Sequence, residues 1–212
     1  NPSRYPNMSA PALKLVYFDT RGRAELIRLL AAVGSVDYED YRFESKEEFV
    51  ALKPSLPNGQ VPVLQIDGGK YLTQTKAIAK YVARIGGLIP DDPLGEYAFD
   101  LVLENMTDMF ELAMPVMFEK DEEKKKELGA KLFGVDLPPW IARLDAIIEG
   151  DYIFGSDLTA ADVAMFAILD GFLGFNPALL TGQEKLSAHH ARVSAHPKLK
   201  PYLDARPPAK KQ

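Results

Sequence analysis

The side chains that could perform covalent chemistry are few in this sequence of 212 residues. It contains no cysteine, which excludes a cysteine nucleophile, a thiolate zinc site, an iron–sulfur cluster and a disulfide scaffold. The three histidines, His189, His190 and His196, fall late in the chain, which disfavours a Ser-His-Asp triad or a multi-histidine metal site. If the protein performs thiol chemistry, a ligand must therefore supply the thiol.

Other polar candidates lie at the ends of predicted strands and helices. Tyr17 closes a predicted strand, and Arg23 follows it at the start of a predicted helix. Thr75 opens another predicted helix, where a hydroxyl and free N–H groups suit an anion. The bond between Val61 and Pro62 precedes a strand, and a cis bond there would expose the Val61 backbone to a ligand. On these residues alone, a core strand tyrosine is the favoured interpretation of Tyr17, and Thr75 can be a plain helix cap, a role that is compatible with binding an anion.

The composition is typical of a globular protein, with 47% hydrophobic residues and a formal charge of −5. Residues 1–92 carry 12 basic and 11 acidic side chains, and the remaining residues carry 13 and 19, so neither part resembles a basic nucleic-acid binder. No apolar run approaches the roughly 18–20 residues of a membrane span, and the first residues lack a signal-peptide core. We therefore expect a cytoplasmic protein with no nucleic-acid or membrane partner, whose natural chain starts at Met8.

Hydrophobic spacing and turn residues predict the elements that hold these positions. In the first part of the chain, strands are predicted at 13–18, 38–43, 61–66 and 70–72, and helices at 23–33, 46–53 and 75–85. The first crossover predicts a parallel pair of strands and the turn at 67–69 an antiparallel pair, so we expect a mixed four-stranded sheet. Gly34 is expected at the left-handed position just after the first helix.

A linker rich in glycine, proline and aspartate at 86–93 precedes a part that is predicted to be all-helical. Helices are predicted at 94–118, 138–149, 158–172 and 197–205, with a kink at Pro115. The charge run at 120–126 is interpreted as a solvated surface. The sequence thus predicts two domains, residues 12–86 and residues 94–206.

Five segments together resemble the cytosolic glutathione transferases of the sigma type. In chain order they are YFDTRGRAE (17–25), NGQVPVL (58–64), LTQTKAI (72–78), TAAD (159–162) and SAHPKLKPYL (194–203). Each is short, but their order matches the predicted topology. The resemblance implies a thioredoxin-like glutathione-binding domain, followed by an all-α domain that forms the electrophile pocket and part of a dimer interface.

The resemblance also implies an activity, namely transfer of glutathione to small apolar electrophiles. Glutathione would be the co-substrate, no metal would be needed, and the protein would be a homodimer. Tyr17 would donate its O–H to the sulfur, because a free thiol with a pKa of about 8.5 is mostly protonated at neutral pH. Lowering that pKa by about two units corresponds to roughly 2.7 kcal/mol. Arg23 would assist electrostatically, whereas Arg21 is expected to face solvent.

The glutathione contacts implied by the resemblance come from several segments. The backbone of Val61 would pair with the cysteinyl part, and Thr75 would help to hold the γ-glutamyl carboxylate. Phe49 stands where many relatives have a tryptophan whose N–H meets the glycyl carboxylate, so Arg42 and Lys46 are candidates to replace it. The full expected set is Phe18, Phe49, Lys53, Gln60, Val61, Pro62, Gln74, Thr75 and Asp100 of the partner subunit.

The second half is expected to supply the electrophile pocket and the dimer contact. Asp100, or Glu104 one turn later, would reach the γ-glutamyl amine across the dimer, although a solvated helix face explains both equally well. The electrophile pocket is expected to contain Phe18, Met106 and Phe110, for which a plain core stripe is the alternative. The expected interface residues on the same helix are Tyr97, Phe99 and Leu101.

Two other functions remain open on the sequence. One is a glutathione-dependent isomerase of the prostaglandin D synthase type, against which the absence of tryptophan at Phe49 counts. The other is a non-catalytic relative, such as the lens S-crystallins, against which the retained Tyr17 and Arg23 count. The segment from Thr159 to Asp162 is interpreted as a capping box with a purely structural role.

Overall fold

The computed structural model describes residues 11–207. These residues form two compact units, one ending at Gly86 and the other beginning at Gly87. The predicted start at Met8 lies outside the described residues. Among the helices of the described range, none combines the length and the apolar character that crossing a bilayer requires.

The first unit is built on a mixed four-stranded sheet. Its strands are β1 (Leu13–Phe18), β2 (Glu39–Phe43), β3 (Val63–Ile66) and β4 (Lys70–Leu72). They lie in the order β2-β1-β3-β4, with β1 parallel to β2 and the other two pairs antiparallel. The predicted mixed sheet is therefore confirmed. β3 begins two residues later than predicted, because Pro62 has no N–H to give to the ladder.

Three α-helices belong to the same unit. They are α1 (Glu25–Gly34), which follows a short 3₁₀ turn at Gly22–Ala24, α2 (Lys46–Leu52) and α3 (Thr75–Ile85). α3 buries apolar residues at helical spacing, as predicted, whereas α1 buries eight of its ten residues and so is covered on nearly all sides. A second apolar cluster forms around Val16, Phe43 and Val63, and Phe18 and Phe49 pack against it.

Gly34 is the last residue of α1 rather than the left-handed residue after it. The left-handed conformation is taken by Ser35, with φ of 51°. A Cβ added to Gly34 would lie 2.8 Å from the Cα of Gly86, at the end of α3. Glycine at this position therefore allows two helix ends to approach closely, and the predicted C′ role was wrong.

The second unit is all-helical, as predicted. Its helices are α4 (Pro93–Phe118), α5 (Glu122–Lys131), α6 (Pro138–Ala146), α7 (Ala160–Leu173), α8 (Glu184–Ser194) and α9 (Lys200–Ala205). α4 continues through Pro115. The predictions missed α5 and α8. α5 buries none of its residues and so carries no hydrophobic pattern, whereas α8 buries only Leu186, His189 and Val193.

A buried carboxylate joins α7 to its surroundings and confirms the predicted capping box. Asp162 is fully buried, and its Oδ2 accepts from both the backbone N–H and the hydroxyl of Thr159 at 2.8 Å. Its Oδ1 accepts from the backbone N–H of Ile153 at 2.8 Å and lies 2.9 Å from Nε2 of His189 on α8. One carboxylate thus connects a helix start, a loop and a second helix.

Candidate active site

Tyr17 lies near the end of β1, with its hydroxyl at the start of the helix that follows. Its side chain is 8% exposed, and its oxygen accepts the backbone N–H of Arg23 at 3.1 Å. Because that oxygen already accepts one hydrogen bond, its own hydrogen is directed elsewhere. Gly22 has φ of +41°, and a Cβ there would lie 2.6 Å from the Tyr17 oxygen. Glycine therefore permits the close approach of the loop to the hydroxyl.

An open pocket in the first unit lies beside this loop. Three loop segments form it, and its lining residues are Arg23, Asn58, Gln60, Val61, Pro62, Thr73, Gln74 and Thr75. Six of these are residues that the sequence predicted to act together, although they are up to 52 positions apart in the chain, from 23 to 75. Sequence reasoning assigned no role to Asn58 or Thr73, whose side chains meet through an Asn58 Nδ2 to Thr73 Oγ1 hydrogen bond of 3.5 Å.

The backbone at two edges of the pocket is outside regular pairing. The Val61–Pro62 peptide bond is cis, and Val61 precedes the first ladder residue of β3. Gln74 has φ of +70° and occupies the N-cap position of α3, so Thr75 is the first helical residue rather than the cap. The first N–H groups of a helix have no partner inside the helix, so this end of α3 suits an anion.

Phe18, Phe49 and Lys53 form an aromatic and cationic cluster that the pocket lining does not include. The ring of Phe49 lies 5.0 Å from that of Phe18 and 5.6 Å from that of Phe43, so it contributes to packing. Lys53 Nζ lies 6.0 Å from the centre of the Phe49 ring. Its chain also runs beside Gly59, where a Cβ would lie 3.4 Å from Lys53 Cε. Lys53 is thus placed next to the Asn58–Gln60 segment.

Next to the loop that follows β1 lies a cluster of charges, in which the sequence predicted a role only for Arg42. Arg28, on α1, is fully buried, and its Nε donates to both carboxylate oxygens of Asp40 at 3.1 and 3.2 Å. Arg42 also pairs with Asp40 at 2.7 Å and with Asp19 at 3.1 Å. Arg42 is therefore engaged with two carboxylates, and its role with the glycyl carboxylate stays a prediction.

Tyr38 and Arg21 both lie near this cluster of charges. Burial, with a smaller contribution from Asp40, raises the pKa of Tyr38 to about 12, so this phenol stays protonated. Arg21 is partly buried, with its side-chain Nε shielded from solvent, and its carbonyl accepts a hydrogen bond of 3.5 Å from Arg28 Nη1. The prediction that Arg21 faces solvent was therefore wrong. The signal that could have identified Arg28 is a single cation within the apolar run Leu26–Leu30.

The predicted residues of the second unit divide between its surface and its core. Phe99 is only 1% exposed, so the prediction that it forms an interface was wrong, whereas Tyr97 is 60% exposed. Met106 is buried in the unit, and Phe110 is 38% exposed with its ring 6.2 Å from that of Phe172. Asp100 is partly buried. The functional roles of Asp100, Met106 and Phe110 stay predictions.

Known proteins are similar to both parts of the chain. Two family models match, "Glutathione S-transferase, N-terminal domain" over residues 13–84 and "Glutathione S-transferase, C-terminal domain" over residues 107–206. Glutathione S-transferase 3 of Caenorhabditis elegans is 32% identical, covering 92% of this chain and 96% of its own. S-crystallin SL11 of Nototodarus sloanii is also 32% identical, covering 92% and 97%.

A solved structure extends the similarity to three dimensions. The structure of rat hPGDS complexed with a quinoline aligns with a TM-score of 0.86 at 29% identity, over 95% of this chain and 100% of that one. Both the sheet-containing unit and the helical unit are covered by the similarities. The chain belongs to the glutathione S-transferase family.

Proposed function

We propose that the protein joins the thiolate of glutathione to small apolar electrophiles, as a cytoplasmic, sigma-class homodimer that serves detoxification. One observation carries the proposal. The Tyr17 hydroxyl accepts the N–H of Arg23, and Arg23 also lines the pocket at the start of α3. A phenol with its hydrogen still to donate therefore lies beside a pocket that is suited to a peptide-like anion.

The chemical step needs the glutathione sulfur as a thiolate. Tyr17 donates its O–H to the sulfur, which stabilises the charged form and lowers the thiol pKa. The N–H of Arg23 on the same oxygen polarises the phenol and strengthens that bond. The Arg23 side chain is exposed and adds a positive charge near the anion. The thiol proton is released to water, and the thiolate attacks the electrophilic carbon, forming a carbon–sulfur bond while the bond to the leaving group breaks; with an aryl halide, halide ion is released.

The pocket divides the recognition of glutathione among its edges. The γ-glutamyl carboxylate binds Gln74 and Thr75 at the start of α3, and the cysteinyl backbone pairs with Val61. Gln60 and Pro62 border that contact. The glycyl carboxylate lies toward Lys53, where Phe49 provides packing instead of a hydrogen bond.

Three residues of the second unit also have proposed roles in binding the two substrates. Met106 and Phe110, with Phe18 of the first unit, contact the electrophile, since an adaptable methionine and two aromatic rings suit varied apolar compounds. Asp100 of the partner subunit meets the γ-glutamyl amine. Sedimentation should therefore give a mass of twice the chain, and Asp100→Asn should weaken glutathione binding. A monomer that retains full activity would contradict this part.

An isomerase is the second candidate, favoured by the structural similarity to rat hPGDS. It would use the same glutathione thiolate, stabilised by Tyr17, so the distinction lies in the substrate rather than in the first chemical step. Incubation with a prostaglandin endoperoxide and with a generic aryl halide, at equal enzyme concentrations, separates the two. We expect the aryl halide conjugate, and isomerisation without conjugation would overturn the choice.

The central experiment combines calorimetric titration of glutathione with a conjugation assay. Tyr17→Phe should bind glutathione as tightly as the native protein but lose most conjugation, about 25-fold at pH 7 if the thiol pKa returns from about 6.5 to about 8.5 and the thiolate fraction falls accordingly. Tyr152→Phe, which removes a phenol from the second unit, is the matched control and should conjugate normally. No binding at millimolar glutathione would instead support a non-catalytic, crystallin-like protein.

A further inference from the structure

Arg28 is a fully buried cation whose guanidinium holds main-chain groups as well as a carboxylate. Besides its pair with Asp40, its Nη1 donates to the carbonyl of Thr20 at 2.8 Å and to that of Arg21 at 3.5 Å. Glu25, one turn earlier on α1, lies 3.8 Å from the same nitrogen. A guanidinium suits this task, because its planar set of N–H groups can bind several acceptors at fixed angles.

Stability alone is a poor explanation for a buried charge at this position. Removing an arginine and an aspartate from water is costly, and a well-packed apolar pair is often at least as stable. Asp40 has a second cation, Arg42, 2.7 Å away. The contacts that an apolar residue could not replace are those to the two loop carbonyls. The role of Arg28 therefore depends on which groups the Thr20–Arg21 segment positions.

The two carbonyls belong to residues immediately before the groups that contact the Tyr17 hydroxyl. Gly22 follows Arg21 directly and leaves no room for a side chain beside that hydroxyl. The next residue, Arg23, donates its N–H to it at 3.1 Å. The Arg28 guanidinium carbon also lies 6.0 Å from the centre of the Tyr17 ring. A shift of the Thr20–Arg21 segment would therefore move the N–H away from the phenol oxygen.

We infer that Arg28 is a positioning residue for Tyr17, which fixes the loop so that the Arg23 N–H meets the phenol and directs the O–H toward the thiol. The inference rests on the proposed conjugation at Tyr17. Arg28 is not among the residues that line the pocket, and its hydrogen bonds to the carbonyls of Thr20 and Arg21 connect it to the loop backbone. Asp40 is its counter-ion and holds the guanidinium in the required orientation.

The kinetic test compares Arg28→Met, which keeps an unbranched apolar stem but removes the guanidinium, with Arg28→Lys, which keeps the charge. For Arg28→Met we expect kcat/KM to fall about threefold at pH 7 and about tenfold near pH 5, as the pKa of the bound thiol rises by about one unit from about 6.5. The KM for glutathione should change by less than about twofold, because the pocket is intact. Arg28→Lys should recover part of the loss, since it retains a cation whose single nitrogen can donate to one or two of these acceptors.

A destabilised control separates positioning from mere folding. Leu144→Ala removes a fully buried side chain from α6 in the second unit, far along the chain from this loop. It should lower the melting temperature but leave the pH profile of conjugation unchanged. If Arg28→Met also keeps the native pH profile and loses activity only in proportion to the folded fraction, the inference is wrong.

A second measurement does not depend on conjugation. Amide hydrogen exchange at Arg23 in the free protein reports its hydrogen bond to Tyr17, and it should become at least tenfold faster in Arg28→Met but not in Leu144→Ala. Unchanged exchange at Arg23 would overturn the inference. If the native protein does not conjugate at all, the proposed function fails, while this exchange result still decides whether Arg28 holds the loop.

Discussion

The free energy of unfolding should depend strongly on one buried carboxylate that takes no part in the proposed chemistry. Asp162 accepts three hydrogen bonds, from the N–H and hydroxyl of Thr159 and from the N–H of Ile153, and lies 2.9 Å from His189 Nε2. It is fully buried, as is His189. Asp162→Asn keeps the shape of the side chain but replaces one acceptor oxygen with a donor.

The magnitude follows from the partners that the amide would face. If the NH₂ group takes the place of Oδ2 it meets the N–H of Thr159, and if it takes the place of Oδ1 it meets that of Ile153. Either orientation leaves a backbone donor unpaired and weakens the remaining bonds, which no longer end on a charge. With about 1.5–3 kcal/mol for each hydrogen bond to a charged group, we expect a loss of about 3–5 kcal/mol.

Urea denaturation followed by circular dichroism measures this loss. Asp170→Asn is the matched control, because it lies on the same helix and its carboxylate pairs with Arg206 at 2.9 Å in a partly exposed site, where about 1 kcal/mol is expected. Thr159→Ala should cost about 1–2 kcal/mol. Conjugation per folded molecule should not change in any of the three. A loss below about 1 kcal/mol for Asp162→Asn, or inactive enzyme of native stability, would refute the reasoning.

Three further predictions concern the glutathione site and the response to acid. Thr75→Ala should raise the KM for glutathione several-fold at unchanged kcat, and Thr75→Ser should not; equal effects would exclude the hydroxyl from binding. Lys53→Met should raise the same KM, with the difference from the native protein shrinking in high salt; a difference independent of salt would argue against a charge contact. Burial lowers the pKa of His190, so the unfolded chain binds more protons and stability should fall as the pH drops below about 6.5. His190→Gln should flatten that part of a denaturation profile, and an unaltered slope would exclude His190 as its source.

Local sequence signals predicted the parts of the fold that local physics determines. The strand at Leu13–Phe18, the hairpin at β3 and β4, and the helix at Thr75–Ile85 follow from alternation, turn residues and helical spacing. α5 was not predicted because it buries no residue, and its sequence therefore shows no apolar periodicity. The role of Gly34 was misassigned because the backbone that it approaches, at Gly86, is remote in the chain.

In the candidate site, too, some residues could be recognised from the sequence and others could not. The pocket residues lie in short segments whose resemblance to a family could be recognised, but the support beneath them could not. Arg28 meets Asp40 only because β2 pairs in parallel with β1, which aligns Asp40 with Leu15. That register is a long-range property, and no local pattern indicates that this arginine binds the carbonyls of Thr20 and Arg21.

Substitutions at Asp162 and at Arg28 should therefore be distinguished by different measurements. Asp162 binds N–H groups at a helix start and at a loop, so its substitution should change the free energy of unfolding and leave the thiol pKa unaffected. Arg28 binds carbonyls one and two residues before the loop glycine that meets Tyr17, so its substitution should change the thiol pKa beyond any change in stability. Because the chain has no cysteine of its own, that pKa belongs to the glutathione sulfur, and it measures the placement of the Tyr17 hydroxyl directly.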